Sequence, residues 1–172
     1  MRFVSVGGQA VRACCGLSLT PNAKADLSQA HSKTPLDLLV PGGAGVAAAL
    51  TDTALQMLIE GWLHQHPEGR VAAVCSGALL LENSGVLEGK LATTHWSRER
   101  EFILHFPKVL WDIDQIYFLQ EGLPTSAGVT AGIDMALSLI RADCGSAFTL
   151  QVAQELVVSQ HRLGGQRQVI PP

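Results

Sequence analysis

Two short apolar runs, each followed at once by a turn sequence, constrain the fold of this chain more than any other feature. Residues 36–40 (LDLLV) end at residues 41–43 (PGG), and residues 71–74 (VAAV) end at Cys75. Such runs are typical of strands that are buried on both faces of a parallel sheet. Residues 55–63, which lie between them, carry apolar side chains at helical spacing. We therefore predict two adjacent parallel strands joined by a helix, with Cys75 at the carboxyl end of the second strand.

The same alternation of strands and helices continues through the rest of the chain. Apolar runs and helical spacing predict strands at 91–94 and 116–119, and helices at 77–83, 98–106, 128–142 and 146–160. The apolar faces of the last two helices predict buried positions at Ile133, Leu137, Ile140, Phe148, Val152 and Leu156. We predict one α/β domain at residues 1–163, with a mainly parallel sheet layered between helices, and a linker at 164–172. Ligands of such folds bind at the carboxyl ends of the strands.

Composition and charge argue against several classes of protein. The 172 residues are 47% hydrophobic and 16% charged, which is typical of a folded domain. The net charge of −3, without a run of five basic residues, argues against non-specific binding to nucleic acid. No apolar run approaches the roughly 18 to 20 residues of a membrane span, and the N-terminus does not resemble a signal peptide. The four cysteines include no C-x-x-C pair, which argues against a zinc site and a thioredoxin-like redox motif. Without an export signal we expect reduced thiols in the cytoplasm. We also expect no metal and no cofactor.

The sequence AVCSGALLL at residues 73–81 carries the most chemical information. An apolar strand runs into Cys75 and then, through Ser76, into a helix, which is the arrangement of a nucleophile elbow. The start of this helix favours a thiolate, and N–H groups there and in the Gly42-Gly43 loop could form an oxyanion hole. On this spacing alone, a small cysteine buried in the core is the stronger interpretation.

Three more motifs accompany this one in a fixed order: DLLVPGGAG (37–45) before it, then SGVLEGKLATTHW (84–96) and TSAGVTAGIDMAL (125–137). Together the motifs resemble the ThiJ/PfpI superfamily, whose class I glutamine amidotransferase-like fold is a three-layer flavodoxin-like sandwich. They are most similar to the branch that isonitrile hydratases share with the N-terminal sensor domains of AraC-type transcription regulators. The stretch AQELVVSQHRLGGQRQ (153–168) resembles the segment that leads, in those regulators, to the helix-turn-helix domain.

Two departures from the family pattern bear on catalysis. The resemblance implies a first strand and helix before residues 2–7, with an acidic residue that approaches the cysteine, and this part of the pattern is not matched. The hydrolase branches also place a histidine partner for the cysteine before the strand that leads to residues 125–126, and residues 107–117 contain none. A thiolate without a base or an orienting acid is a poor hydrolytic catalyst.

Several further residues are candidates for ligand contact. His95 follows a strand, so it either reaches the pocket or is a structural histidine bonded to backbone. Thr125 and Ser126 precede a helix, which they either cap or border with hydroxyls that face a ligand. The N–H of Gly43 and the hydroxyl of Ser76 are further hydrogen-bonding groups for a ligand, beside Gly42.

Three hypotheses of function follow. The first is a ligand-sensing domain of an AraC-type regulator, which binds a small metabolite near Cys75, forms a homodimer and reaches DNA only through a C-terminal domain that this chain does not contain. The resemblance implies an amino-acid-derived or quaternary-amine ligand. The alternative is a cysteine-dependent hydratase or amidase related to isonitrile hydratase. The third is a redox or glyoxal-handling protein whose cysteine is oxidised or adducted. The 153–168 stretch favours the first hypothesis.

Overall fold

Strands and helices alternate along the chain, as the sequence predicts. The structure is a computed structural model that describes residues 1–25, 27, 35–98 and 103–169. Within these ranges the strands are β1 (Val4–Ser5), β2 (Val11–Arg12), β3 (Ser18–Leu19), β4 (Ala23–Lys24), β5 (Leu38–Val40), β6 (Val71–Val74), β7 (Leu91–Ala92), β8 (Leu110–Trp111), β9 (Tyr117–Phe118) and β10 (Thr125–Ser126). The α-helices are α1 (Val46–Ala49), α2 (Thr53–Gln65), α3 (Gly77–Asn83), α4 (Val129–Cys144) and α5 (Ser146–Glu155).

The main sheet has the strand order β5-β6-β10-β9. β5 pairs in parallel with β6 in the register Leu38 to Val71, and β6 pairs in parallel with β10. β9 pairs antiparallel with β10 at one edge of the sheet. The predicted pair of adjacent parallel strands ending at Cys75 is therefore confirmed, although the first strand begins at Leu38 instead of Leu36.

Helices cover both faces of this sheet. Along β6, Val71 and Ala73 belong to a core shared with α1, α2 and α3, whereas Ala72 belongs to a second core shared with α4. A strand buried on both faces reads as a continuous apolar run, which is why the sequence signal was strong. In the first core, Ile59 and Leu79 are fully buried, and each contributes about 1.5–3 kcal/mol. The molecule is a three-layer flavodoxin-like α/β sandwich, as predicted.

Within the described residues, three two-stranded sheets lie outside the main sheet. β1 pairs with β4 and β7 with β8, both in parallel. β2 and β3 form an antiparallel hairpin whose turn holds Cys14 and Cys15 and closes at Gly16, where φ is +88°. Positive φ is readily adopted only by glycine, so this residue permits the tight turn.

The faces that α4 and α5 bury differ from the prediction. Leu137 is buried as expected, but Ile133 is exposed and Asp134 takes its place in the interior. On α5, Phe148 and Leu156 are about half exposed, and Thr149 and Ala153 are the buried residues instead. The list of buried positions was therefore wrong at Ile133, Phe148 and Leu156. Short side chains permit close contact between α5 and α4, which explains why the small residues face inward.

Two other elements are shorter than predicted. The strand at 91–94 ends at Ala92, because the chain then turns and the next two residues bond elsewhere. The helix predicted at 98–106 is represented by 3₁₀ turns at Trp96–Arg98 and Ile103–His105, and residues 99–102 lie outside the described ranges. α5 ends at Glu155 and not at residue 160.

The segment predicted as a linker lies against the domain. The N–H of Ile116 donates to the carbonyl oxygens of Gly164 and Gln166, and the N–H of Gln168 donates to the carbonyl of Asp114. The domain boundary at residue 163 stays a prediction. Among the residues that the structure describes, no helix has the length and apolarity that crossing a membrane requires.

Candidate functional site

Cys75 lies in a strained turn between β6 and α3. Its φ of +58° falls in the left-handed region, which L-residues other than glycine rarely adopt. Its N–H donates to the carbonyl of Ser126 at 2.8 Å, and its own carbonyl accepts from the Thr94 hydroxyl at 3.0 Å. Neighbouring strands and loops thus hold the strained backbone in place. The elbow predicted from the sequence is present.

Two glycines allow the chain to pack closely around this turn. A Cβ atom added to Gly42 would lie 2.7 Å from the backbone nitrogen of Ser76 and 2.9 Å from Cβ of Cys75. A Cβ atom on Gly77 would overlap the carbonyl oxygen of Val40. The loop after β5 and the start of α3 can therefore touch only because both positions lack side chains.

Gly43 and Ser76 bond to each other. The N–H of Gly43 donates to Oγ of Ser76 at 3.0 Å, and the Ser76 hydroxyl lies 3.4 Å from the Gly43 carbonyl oxygen. Ser76 is almost completely buried. In this arrangement the Gly43 N–H is used within the protein, so a ligand could accept from it only after the Ser76 hydroxyl moves. The ligand-binding role of Gly42, Gly43 and Ser76 stays a prediction.

His95 stands at the same strand ends, beside the start of α4. Its Nδ1 lies 2.8 Å from the Ser97 hydroxyl and 3.3 Å from the Ser97 backbone nitrogen. The roles of the ring nitrogens depend on the tautomer, because the Ser97 hydroxyl can donate to Nδ1 or accept from it. The ring lies over Gly128, where an added Cβ atom would be 3.5 Å from Cδ2. His95 thus places an imidazole at the carboxyl edge of the sheet.

The hydroxyls of Thr125 and Ser126 are internal to the sheet. Both residues are fully buried. Oγ1 of Thr125 accepts from the N–H of Thr93, and the Ser126 hydroxyl lies 3.4 Å from the carbonyl oxygen of Ala73. Neither residue caps α4, whose N-cap is Gly128 without a side-chain bond, so the capping interpretation was wrong. Their contact with a ligand stays a prediction.

Cys75 is half-buried in this turn. Within residues 1–25, 27, 35–98 and 103–169, no hydrogen bond to its Sγ is found, from a histidine or from a carboxylate. Cys144 is exposed at the end of α4. The site therefore has a half-buried cysteine and the imidazole of His95 at the same end of the sheet.

Thr94 and Gln168 also belong to the site, and sequence reasoning missed both. Thr94 bonds the Cys75 carbonyl, and the Gln168 side chain bonds the backbone on both sides of His95. Thr94 lies inside the motif at 84–96, so its place just before His95 was the available signal. Gln168 is the last residue of the stretch at 153–168, but nothing in that stretch indicated its contacts, because its partners are more than 50 residues away.

Comparison with known proteins identifies relatives of two kinds. The chain is 28% identical over 169 residues to the HTH-type transcriptional regulator GbdR of Pseudomonas aeruginosa, which covers 98% of this chain and 44% of that protein. It is 39% identical over 107 residues to the isonitrile hydratase of Pseudomonas putida, which covers 60% of this chain and 44% of that protein. The chain thus matches less than half the length of either relative.

Solved structures and a family model agree on the fold. An AraC family transcriptional regulator from Pseudomonas putida superposes with a TM-score of 0.74 at 19% identity, over 89% of this chain and 78% of that one. The model of the DJ-1/PfpI family, the superfamily that the four motifs resemble, matches residues 1–142. On this match across most of its length, together with the elbow at Cys75, the chain belongs to the DJ-1/PfpI family.

Proposed function

We propose that this chain is the ligand-sensing domain of an AraC-type transcription regulator and binds a small metabolite beside Cys75 with little or no turnover. The observation that carries the proposal is the incomplete catalytic set around the thiol. Among the residues that the structure describes, no histidine and no carboxylate bonds to Sγ of Cys75. A ligand site needs only shape and a few hydrogen bonds, whereas catalysis by a thiol needs a base within hydrogen-bond reach.

The relatives support a sensor in a longer protein. The match to the regulator GbdR runs over nearly the whole of this chain but under half of that protein. In the proposal, a further domain contacts DNA, since this chain carries a net charge of −3 and has no basic run. The proposed setting is a homodimer in the cytoplasm, in which occupancy of the site favours one arrangement over another.

The surroundings of His95 favour a cationic or amino-acid-derived ligand. Trp96 is half-exposed, and its ring centroid lies 5.7 Å from that of His95. An exposed indole face attracts ammonium groups, and the His95 N–H can donate to a carboxylate. One ligand with both groups would use both side chains.

The test is protection of Cys75 from alkylation by iodoacetamide, with Cys144 as internal control. A ligand bound at the site should slow labelling of Cys75 and leave labelling of Cys144 unchanged. We would screen the common amino acids and tetramethylammonium by mass spectrometry after timed labelling. Trp96→Ala should remove protection by the cationic compounds. If no compound protects Cys75 at millimolar concentration, the proposed ligand class is wrong.

A cysteine-dependent hydratase is the second candidate. The strained φ of Cys75 and the 39% identity to an isonitrile hydratase over 107 residues favour it. Assays of isonitrile hydration and amide hydrolysis, with wild type and Cys75→Ser, separate the two functions. Turnover that the substitution abolishes would replace the sensor proposal with an enzyme.

A further inference from the structure

The side chain of Gln168 reaches from the C-terminal segment into the wall of the candidate site. Its Nε2 lies 3.0 Å from Oγ1 of Thr93, 2.9 Å from the carbonyl oxygen of Thr94 and 3.0 Å from that of Gln115. Its Oε1 accepts the N–H of Trp96 at 3.0 Å. One amide group therefore binds the backbone on both sides of His95.

This contact continues to Cys75 through a single residue. The Thr94 carbonyl accepts from Gln168, and the Thr94 hydroxyl donates to the carbonyl of Cys75. Thr94 is fully buried, so these bonds are shielded from water and have fixed geometry. A shift of Thr94 would change both the turn at Cys75 and the position of Gln168.

The segment that carries Gln168 is fixed to the domain by backbone bonds. Ile116 donates to the carbonyls of Gly164 and Gln166, and the Gln168 N–H donates to Asp114. An isolated bridge also joins Gln115 to Arg167. Because its backbone is fixed by these bonds, Gln168 can hold other residues in place, which a positioning residue must do.

We propose that Gln168 is a positioning residue: it holds residues 94–96 against Cys75 and couples the candidate site to the segment at 164–168. Coupling of this kind is reciprocal. A change at Cys75 alters how tightly the segment at 164–168 is bound, and loss of the Gln168 bonds alters the turn at Cys75. Its regulatory meaning rests on the proposed sensor function, in which this segment would transmit occupancy. The coupling itself is measurable without a ligand.

The first experiment measures the rate at which iodoacetamide labels Cys75 in unliganded protein. Gln168→Ala removes the donor and the acceptor together, so residues 94–96 loosen and Cys75 labels faster, by at least about threefold. Gln168→Glu keeps the shape and the acceptor for Trp96 but sets a carboxylate oxygen against the carbonyl oxygens of Thr94 and Gln115, so the rate rises at least as much. Gln166→Ala is the matched control, because the Gln166 side chain is exposed and, among the described residues, its hydrogen bonds are made by its backbone.

The labelling rate of Cys144 and the thermal melt separate positioning from general loosening. We expect the Cys144 rate to match wild type in all three variants. The melting temperature should match wild type in Gln166→Ala and fall in the two Gln168 variants, because buried groups lose their hydrogen-bond partner, while each variant keeps one cooperative transition. An unchanged Cys75 rate in Gln168→Ala, or an equal rise at Cys144, would overturn the proposal. If Gln168→Glu labels at the wild-type rate while Gln168→Ala labels faster, packing and not hydrogen bonding holds the segment, and the proposal fails.

The second experiment tests the reverse direction in the wild-type chain. Labelling with iodoacetamide adds an acetamide group to the sulfur of Cys75, the residue whose carbonyl Thr94 bonds. Amide exchange of a peptide covering residues 164–168 should then become faster. The control is Cys75→Ala treated in the same way, in which exchange should not change. Equal exchange before and after labelling of the wild type would contradict the coupling, whatever ligand the site binds.

Discussion

Two residues other than glycine have positive φ among those the structure describes, and their surroundings differ. Val157, at +55°, ends α5 and is 88% exposed. Its conformation costs about 1 kcal/mol and is held by helix-end bonds to Gln154 and Ala153. Cys75 has a similar φ but is held by bonds from two other elements. The positive φ of Cys75 is maintained by bonds from neighbouring segments. Backbone strain that is maintained in this way is typical of functional sites.

Glu82 is a buried carboxyl whose ionised form lowers the stability of the folded chain. It lies on α3, only 8% exposed, and its Oε2 has no hydrogen-bond partner within the described part of the chain. Burial, and then the charge of Glu88, raise the pKa of Glu82 above its ordinary value. Because the pKa of Glu82 is higher in the folded chain than in the unfolded chain, the free energy of unfolding falls as pH rises through the folded-state pKa.

We therefore predict that Glu82→Gln stabilises the chain at pH 7, by up to about 1 kcal/mol. The gain should shrink as pH falls toward the ordinary range of a glutamate, where the wild-type carboxyl is protonated. Urea denaturation at pH 7 and pH 5 measures both values, and Glu60→Gln, at an exposed position on α2, is the control. A gain that does not depend on pH would show that ionisation of Glu82 is not the cause.

At the scale of elements, the sequence predicted those strands and helices whose bounds are set by interactions between residues close in sequence. The strands β5 and β6 and the helix α3 were found at or near their predicted bounds, because apolar runs and glycine turns mark them directly. The buried face of α5 was not predictable in this way. Phe148 and Leu156 form a regular apolar stripe, but the partner helix α4 selects the neighbouring stripe of small residues.

In the candidate site, too, the local features were predicted and the long-range contacts were not. The elbow at Cys75 and the close glycines were visible in the sequence, because a strand, a small turn and a helix leave a local pattern. The bonds of Ser76, Thr125 and Gln168 were not, because each joins residues distant in sequence. A polar contact between loops has no periodicity, so a single sequence does not reveal it.

Arg70 joins three elements at the end of the sheet opposite the site. Its guanidinium bonds both carboxylate oxygens of Asp37, before β5, and also Asp143, near the end of α4. Bonds to both aspartates raise the pKa of Arg70. Paired, charge-assisted bonds of this geometry are stronger than ordinary surface ion pairs.

We predict that Arg70→Ala lowers the free energy of unfolding by about 1–2 kcal/mol, because both aspartates lose their partner. Arg141→Ala, at an exposed position near the end of α4, should change it by less than about 0.5 kcal/mol. Chemical denaturation of the two variants at low and at high salt is the measurement. Equal stabilities for the two would mean that the Arg70 cluster is solvated and contributes little.

At the scale of the whole molecule, the sandwich is unevenly covered. α4 covers β6, β10 and β9, but Leu39 of β5, which lies on the same face as Ala72, is 60% exposed. No strand in the described part of the chain pairs with the outer edge of β5. In a parallel ladder, alternate backbone groups point to each side, so those beside Leu39 face outward. An unpaired apolar edge is a site for strand pairing.

We predict that the chain self-associates through this edge, in keeping with the proposed homodimer, and that Leu39→Lys weakens the association. A lysine on an edge strand opposes pairing because a second strand would bury its charge. The side chain is exposed, so the substitution should change the free energy of unfolding of the monomer by no more than about 0.5 kcal/mol.

Met57→Lys is the matched control, since Met57 is 69% exposed on α2, away from the edge. Sedimentation velocity over a range of concentrations should show dimer for wild type and Met57→Lys, and monomer for Leu39→Lys. A wild-type chain that stays monomeric with a cooperative melt would mean that the edge of β5 is stable without a partner.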